Sequence, residues 1–241
     1  MTRALVTGAS GVLGAAIAHR LAGDGHAVIC HGNRNGELVA ALASELDSVH
    51  GAGTASVIAF DVTDADATAE ALQGILADGP IDIVVSNAGI HDDAPMAGMT
   101  AQQWRQVVDV SLNGFFHVVQ PLLIDMMRGR WGRVIAISSV AATLGNRGQT
   151  NYAAAKSGLH GAAKSLAREV GSRGITVNVV APGIIESDMV GDRFDADAVR
   201  ALVPAGRMGR PEEVAALVGF LASREADYVS GQVIGVDGAM T

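Results

Sequence analysis

Three polar side chains between residues 139 and 156 could together transfer a proton: Ser139, Tyr152 and Lys156. Tyr152 and Lys156 are four residues apart, so on an α-helix their side chains share one face, about one turn apart. A lysine ammonium that close to a phenol favours the phenolate, and we expect it to lower a tyrosine pKa that is normally about 10. Such a tyrosine can act as a general acid or base near neutral pH.

Ser139 lies at the end of an apolar run, Val134–Ile137, that predicts a β-strand. A strand end and the face of the following helix can meet across the loop between them, which would bring Ser139 close to Tyr152. Alone, however, a tyrosine and a lysine at this spacing are more often a solvated helix pair. The surrounding elements must decide between these interpretations.

Short runs rich in β-branched residues alternate with segments of helical period, such as the one with Leu13, Ile17 and Leu21 at steps of four. This alternation predicts a parallel sheet with helices on both faces. We therefore expect an α/β fold, a single-domain Rossmann-type doubly wound parallel sheet of seven strands over residues 1–241. The predicted strands are Ala4–Thr7, Ala27–His31, Ser56–Phe60, Ile81–Ser86, Val134–Ser138, Thr176–Ala181 and Gln232–Val236.

Glycines follow the first predicted strand and precede the first predicted helix. A strand, a glycine turn and a helix N-terminus form a pyrophosphate site, because free N–H groups and the helix dipole attract the anion and glycine lets it approach. A plain tight turn is the alternative, and the place of this turn at the first strand–helix junction favours the dinucleotide. The residues assigned to it are Gly8, Ser10, Gly11, Val12, Leu13 and Gly14.

The end of the second strand bears on the choice of cofactor. In NAD enzymes an acidic residue here usually binds the ribose 2′-hydroxyl. No Asp or Glu occurs between Gly25 and Glu37, whereas Asn33 and Arg34 can contact a 2′-phosphate. We therefore predict NADP(H) rather than NAD. The alternative is that Arg34 lies in a solvated loop.

The composition excludes several classes of protein. A net charge of −8 over 241 residues is unfavourable for binding nucleic acid. The first ten residues lack the apolar core of a signal peptide, and no apolar run is long enough to predict a membrane span. Cys30 is the only cysteine, which excludes an internal disulfide. We expect a cytoplasmic protein that binds neither nucleic acid nor a membrane.

A metal site is a second chemistry to weigh. His91, Asp92 and Asp93 are adjacent in a segment that should border the substrate mouth. Three adjacent polar residues in a loop are more often solvated, and no other His or Asp spacing completes a ligand set. We predict no metal site.

Read together, these motifs resemble the short-chain dehydrogenases/reductases over essentially the whole chain. The matching stretches are Thr7-Gly8 through Gly14, Asp61-Val62, Asn87-Ala88-Gly89-Ile90, Ser139, Tyr152 through Lys156, and Pro182-Gly183. Each stretch is short, but their order and spacing together are specific. Within the family the chain is most similar to bacterial 3-oxoacyl-(acyl-carrier-protein) reductases, notably in the tract from residue 145 to 189 and in RMGRPEEVAALVGFLAS.

The resemblance implies NADPH-dependent reduction of a 3-oxoacyl chain on acyl carrier protein, for fatty acids or a related polyketide or aryl-polyene pathway. In that reaction Ser139 polarises the ketone, Tyr152 protonates it, and Lys156 holds the nicotinamide ribose. The resemblance also implies further residues that line the cofactor cleft at the carboxyl ends of strands. These are Asp61, Val62, Asn87, Ala88, Gly89, Pro182, Gly183, Ile185 and Ser187.

Two positions depart from the family pattern. Val12 replaces the second glycine of the usual TGxxxGxG turn and could hinder close approach to the pyrophosphate. Ser111 stands where the family usually has the asparagine of a proton relay, and Asn113 faces elsewhere on a helix. Our hypothesis is that the relay persists through Ser111 and a water molecule.

An acidic carrier protein would need a local basic patch, because the net charge opposes its approach. Arg128, Arg130 and Arg133 follow one long helix, and Arg168 and Arg173 flank the end of the next. By resemblance, Arg130 and Arg173 are the docking candidates. Ordinary solvated arginines are the alternative.

The resemblance further implies a homotetramer. One interface would use the helices Gln102–Met127 and Tyr152–Gly171, and another the last strand with the helix Pro211–Ser223. It also places a mobile substrate lid at Ser187–Pro204.

Two other functions stay open. One is a reductase or dehydrogenase of a small free alcohol, sugar or steroid, which would use the same chemistry. The other is a non-catalytic cofactor-binding regulator, since fold alone does not fix function. The complete Ser139, Tyr152 and Lys156 set argues against the regulator, and Ser111 is the feature in its favour.

Overall fold

The structure is a computed structural model that describes residues 1–33, 35–187 and 196–241. Within these ranges seven strands form one sheet, and each lies within two residues of its predicted bounds. The strands are β1 (Arg3–Val6), β2 (Ala27–Gly32), β3 (Ala55–Ala59), β4 (Ile83–Ser86), β5 (Gly132–Ile137), β6 (Ile175–Pro182) and β7 (Val233–Val236).

The strand order is β3-β2-β1-β4-β5-β6-β7, and all neighbours are parallel. This order confirms the predicted Rossmann-type doubly wound sheet. The chain winds outward in one direction through β2 and β3 and in the other from β4 onward. The carboxyl ends of β1 and β4 therefore flank the switch point, where such sheets bind ligands. The prediction that residues 1–241 form a single domain stays a prediction.

Helices cover both faces of the sheet, which is why the central strands are almost continuously apolar. One face packs against α1, α2 and α9, and the other against α3, α5 and α7. The helices are α1 (Val12–Gly23), α2 (Gly36–His50), α3 (Ala65–Leu76), α4 (Ala101–Val108), α5 (Gly114–Gly129), α6 (Ala141–Leu144), α7 (Thr150–Val170), α8 (Ala196–Leu202) and α9 (Pro211–Ala222).

The helix predicted at Gln102–Met127 is not uniform. A capping box between Thr100 and Gln103 starts α4, and a π-helical turn, Asp109–Asn113, joins α4 to α5. Such turns are frequent at functional sites. This turn directs Ser111 into the interior and leaves Asn113 exposed.

The combined helical run Ala101–Gly129 is long and apolar enough to cross a membrane by length and composition alone. Its inner residues, among them Phe115, Val119 and Leu122, are buried in the core beneath the sheet. Phe116 and Ile124 lie on the outer face, where they are 62% and 54% exposed. The run is therefore a core helix with an uncovered apolar face.

Candidate active site

The glycine turn after β1 is shaped by close backbone packing. Gly8 has a φ of +65°, a conformation that favours glycine. A Cβ on Gly14 would lie 2.3 Å from the carbonyl oxygen of Gly8, so a side chain there cannot fit. The Asn87 side chain donates hydrogen bonds to the carbonyl oxygens of Thr7 (2.9 Å) and Gly8 (3.1 Å). Asn87 thus ties the end of β4 to the turn that begins α1.

A cleft of about 770 Å³ opens at the carboxyl ends of the strands. It runs from the glycine turn to Tyr152, so one continuous space connects the predicted dinucleotide turn with the predicted proton donor. The predicted residues that line it are Gly8, Ser10, Gly11, Val12, Leu13, Gly14, Asn33, Asp61, Val62, Asn87, Ala88, Gly89, Ser139, Tyr152, Lys156, Pro182, Gly183, Ile185 and Ser187.

Two predictions for the cleft fall partly or wholly outside the described residues, and a third, for Val12, can be checked. Arg34 is outside the described residues, and so are residues 188–195 of the predicted lid Ser187–Pro204, of which α8 is a described part. Val12 occupies the first position of α1 with its surface 49% exposed, so its isopropyl group faces the cleft rather than the core.

His31 is a cleft residue that sequence reasoning missed. It is buried at the end of β2, where the Gly8 N–H donates to its Nδ1 (3.3 Å) and its Nε2–H donates to the Phe60 carbonyl oxygen (2.9 Å). Burial lowers the pKa of His31, which keeps the ring neutral and able to accept from Gly8. A polar residue at the end of an otherwise apolar strand was the available signal.

The three residues proposed for proton transfer do meet. Ser139 follows β5, and its hydroxyl lies near that of Tyr152 on α7, where it acts to lower the tyrosine pKa. Lys156 is buried one turn further along α7, and its Nζ donates to the Ile137 carbonyl oxygen at 2.8 Å. That Nζ lies 5.7 Å from the centre of the Tyr152 ring. The pair is therefore an interior pair and not a solvated one.

The expected direction of the Tyr152 pKa was wrong. Burial raises the pKa of Tyr152, the hydrogen bond from Ser139 opposes that rise, and the charge of Asp93 adds to it. Desolvation outweighs the neighbouring groups because the phenolate loses water. Burial also lowers the pKa of Lys156 to about 8. In this state Tyr152 holds its proton, and Lys156 is the group that titrates near neutrality.

Ser111 is buried, and among the described residues its Oγ has no hydrogen-bond partner. A Cβ built on Gly89 would lie 3.5 Å from Ser111 Oγ and 3.1 Å from Lys156 Nζ, so both atoms border the same small space. An unpaired buried hydroxyl costs about 1–3 kcal/mol. The arrangement suits a water or ligand atom between the two groups.

The segment after β4 is bound to the start of α7. Asn151, a second residue that sequence reasoning missed, is fully buried and donates to the carbonyl oxygens of Asp92 (3.0 Å) and Gln103 (3.2 Å). Its Oδ1 accepts the Tyr152 N–H at 2.8 Å. Several residues of this region are polar, and the sequence did not indicate which of them would be buried.

The docking candidates lie at the other end of the sheet. Arg130 and Arg173 lie just before β5 and β6, whereas Ser139 follows the end of β5 and Pro182 ends β6. A strand of this length spans about 20 Å, so neither arginine borders the cleft of its own chain. Arg133 does not belong to a basic patch, because it is buried and paired with Asp227.

The sequence is similar to known proteins along almost its whole length. The family model described as short chain dehydrogenase matches residues 2–198. The 3-oxoacyl-(acyl-carrier-protein) reductases FabG of Escherichia coli and Salmonella typhimurium are each 45% identical over 240 residues, which cover 98% of this chain and 96% of theirs. The reductase of the same name from Vibrio cholerae is 44% identical over the same shares.

Proposed function

Because the chain belongs to the short-chain dehydrogenases, we propose that it reduces the ketone of a 3-oxoacyl chain carried by acyl carrier protein, in fatty-acid biosynthesis or a related polyketide or aryl-polyene pathway. The observation that carries this proposal is that Ser139, Tyr152 and Lys156 line one end of the same cleft, with Lys156 Nζ 5.7 Å from the centre of the Tyr152 ring. Relatives named for this reaction cover 98% of the chain. The expected compartment is the cytoplasm.

The cleft fits a nicotinamide dinucleotide. Gly11, the N-cap of α1, is exposed and leaves backbone accessible at the helix N-terminus, where a pyrophosphate binds. Asp61 and Val62 would contact the adenine end, and Pro182, Gly183 and Ile185 the nicotinamide end. When bound, the nicotinamide supplies the hydride, because no side chain can.

The chain itself supplies the proton. Tyr152 donates its phenolic proton to the ketone oxygen, and the raised pKa means that the proton is present at neutral pH. Ser139, beside Tyr152, directs its one hydroxyl proton to the ketone oxygen and so polarises the carbonyl. Lys156, with a pKa of about 8, holds the ribose hydroxyls and returns a proton to Tyr152, with Ser111 reaching Lys156 through a water.

We propose NADPH as the reductant. Asn33 lines the cleft at the end of β2 and is exposed, so its amide can meet a 2′-phosphate. No acidic residue between Gly25 and Glu37 would repel that phosphate. Arg34 would add a positive charge.

For carrier docking we propose that Arg130 and Arg173 act on the cleft of a second copy, because both lie about a strand length from their own cleft. A homotetramer would provide that copy. The exposed Phe116 and Ile124 on α5 support an interface along the long helices, since large apolar side chains gain by burial.

The deciding experiment is turnover of 3-oxoacyl-carrier-protein substrates with NADPH and NADH side by side, with a small free ketone as the reference. We expect the highest kcat/KM for the carrier-bound substrate with NADPH. A free ketone that matches or exceeds it would instead support the small-alcohol enzyme. An absence of turnover with every pair would support the non-catalytic regulator.

A further inference from the structure

We propose that His31 is a positioning residue of the dinucleotide site, whose neutral ring, bonded to Gly8 and to Phe60, holds the glycine turn in the shape that receives the pyrophosphate. The inference rests on the proposed function for the identity of the ligand, a nicotinamide dinucleotide. Its test measures binding without any ketone, so it does not depend on which substrate is reduced.

His31 binds two successive peptide groups of the glycine turn. Its ring Nδ1 accepts the Gly8 N–H at 3.3 Å, and its carbonyl oxygen accepts the Ala9 N–H at 2.9 Å. The Gly8 carbonyl oxygen in turn accepts from Asn87 Nδ2 (3.1 Å) and from the Gly11 N–H (3.2 Å). The N–H and the C=O of Gly8 are therefore both fixed, the first by β2 and the second by the residue after β4 and by the turn itself.

The conformation of Gly8 decides where the helix N-terminus lies. A glycine has many accessible conformations, so ordering one of them costs free energy unless contacts hold it. The first N–H groups of α1 have no partner within the helix and are the groups that bind an anion. Because the turn that Gly8 begins leads directly into α1, a loose Gly8 would have to be ordered each time the ligand binds. The His31 contact removes that cost in advance.

The ring has no nitrogen left for the ligand itself. A carbonyl oxygen only accepts, so Nε2 carries the proton and donates it to the Phe60 carbonyl oxygen at 2.9 Å. The ring also packs on the Phe60 ring, with 4.0 Å between centres, and His31 is only 2% exposed. Protonation would place an Nδ1–H against the Gly8 N–H, and two donors cannot bond each other. His31 therefore serves the site as a neutral acceptor and not as a cation that contacts phosphate.

The groups around the ring also favour the neutral form. Burial lowers the pKa of His31 below its ordinary value, and the carbonyl hydrogen bond and the charge of Asp61, which follows β3, oppose that fall. The glycine turn, Gly8–Gly14, contacts the ring from the other side and contains no titratable side chain. On β2 itself the neighbour is Cys30, whose pKa burial raises to about 12, so it carries no charge.

Three substitutions separate the two ring contacts. The amide oxygen of asparagine is as far along the side chain as Nδ1, so His31→Asn keeps an acceptor for the Gly8 N–H. A glutamine amide extends as far as Nε2, so His31→Gln keeps a donor for the Phe60 carbonyl and loses the acceptor at Gly8. His31→Phe keeps an aromatic ring and removes both hydrogen bonds.

The other end of β2 offers a matched control. His26 immediately precedes this strand, is partly buried and has its Nδ1 hydrogen-bonded to the Thr2 hydroxyl. His26→Phe thus removes a histidine hydrogen bond from the same strand without touching the glycine turn.

The first test is the affinity for NADPH, measured by cofactor fluorescence at a temperature where circular dichroism shows each variant folded. We expect His31→Phe and His31→Gln to raise the dissociation constant about tenfold, the value of one hydrogen bond. His31→Asn should restore most of the affinity, and His26→Phe should leave it unchanged. A merely structural role would lower thermal stability without this pattern. An unchanged dissociation constant in His31→Phe, or equal losses in His31→Asn and His31→Gln, would overturn the proposal.

The second test follows the His31 ring of the unaltered chain by NMR, its resonance among those of seven histidines being identified by its loss in His31→Asn. The ligand is NADH, because the 2′-phosphate of NADPH itself titrates near about pH 6. A ligand that binds the form with a neutral ring stabilises that form, so its affinity falls as the ring is protonated at lower pH. We expect bound NADH to keep the ring neutral to a lower pH than in the free protein. A ring pKa raised by NADH, as contact between a cation and phosphate would produce, would overturn the proposal.

The role of His31 and the proposed function fail in different ways. A chain whose NADPH affinity depends on His31 but which reduces no ketone contradicts the proposed function alone. A chain that reduces 3-oxoacyl substrates with an affinity independent of His31 contradicts only the role of His31. A chain that binds no dinucleotide contradicts both.

Discussion

At the scale of single residues, the hydroxyl of Tyr152 is governed by opposing effects. Burial and the charge of Asp93 raise its pKa, whereas the hydrogen bond from Ser139 lowers it. The rise prevails because the ring sits in the cleft wall and the phenolate would lose its water. At neutral pH a tyrosine in this state carries its proton, so it can act as a general acid toward an incoming oxygen and not as a general base.

Tyr152→Phe should reduce turnover by about 10²–10⁴-fold, which is the usual contribution of a general acid. The ring remains in place, so cofactor affinity should stay near that of the unaltered chain. Both quantities can be measured together, by steady-state kinetics and by a cofactor fluorescence titration. Near-normal turnover of the variant would remove Tyr152 from the mechanism.

Ser111→Ala should reduce turnover by about tenfold, the value of one lost hydrogen bond of about 1.4 kcal/mol. Its thermal stability should not fall, because the hydroxyl has no partner among the described residues. Ser111→Asn, which supplies a longer hydrogen-bonding group, should recover turnover. Unchanged turnover and an unchanged pH profile in Ser111→Ala would contradict the relay.

At the scale of elements, the glycine turn and the π-helical turn set the geometry of the site. The first brings the N-terminus of α1 onto the end of β4, and the second brings Ser111 beside Gly89 and Lys156. Both are short departures from regular structure, placed where two elements must approach closely.

Gly14→Ala should destabilise the fold by about 1–3 kcal/mol, because its Cβ would overlap backbone atoms of Gly8 and Ala9. Gly11→Ala is the matched control in the same turn, since its Cβ would lie 3.6 Å from the nearest atom and its φ of −84° suits alanine. Denaturant unfolding of both variants measures the difference. Equal stabilities would show that the turn relaxes freely.

Much of this architecture could be predicted from the sequence, because buried parallel strands need apolar β-branched runs and turns need glycine. Residue type and spacing along the chain also predicted Ser139, Tyr152 and Lys156 as the residues for proton transfer. It could not give the π-helical turn, since no residue type marks one. Nor could it give the Tyr152 pKa or the burial of Asn151, because both depend on what packs around a side chain rather than on spacing along the chain.

At the scale of the whole molecule, the sheet separates two surfaces. Its carboxyl ends carry the cleft, and its amino ends carry Arg130 and Arg173. Arg130 Nη2 also donates to the Ser172 carbonyl oxygen at 3.2 Å, so the two loops that bear these arginines are joined. The two arginines proposed for docking and the cleft therefore lie at opposite ends of the sheet of one chain.

Charge reversal of both arginines to Glu should raise KM about tenfold or more for a carrier-bound substrate and leave a small free ketone unaffected. Mixing that variant with Tyr152→Phe should restore turnover of the carrier-bound substrate, because each chain supplies what the other lacks. An equal loss with the small ketone, or no recovery on mixing, would contradict docking on a second copy.

The distance between the cleft and the two arginines proposed for docking also determines how the protein should respond to dilution. If the carrier is held by one chain and its cargo reduced by another, specific activity toward the carrier-bound substrate falls as the assembly dissociates. Specific activity toward a small ketone depends only on each chain's own cleft and stays level. The ratio of the two activities would then report the amount of assembled protein in a crude extract, without any separation by size.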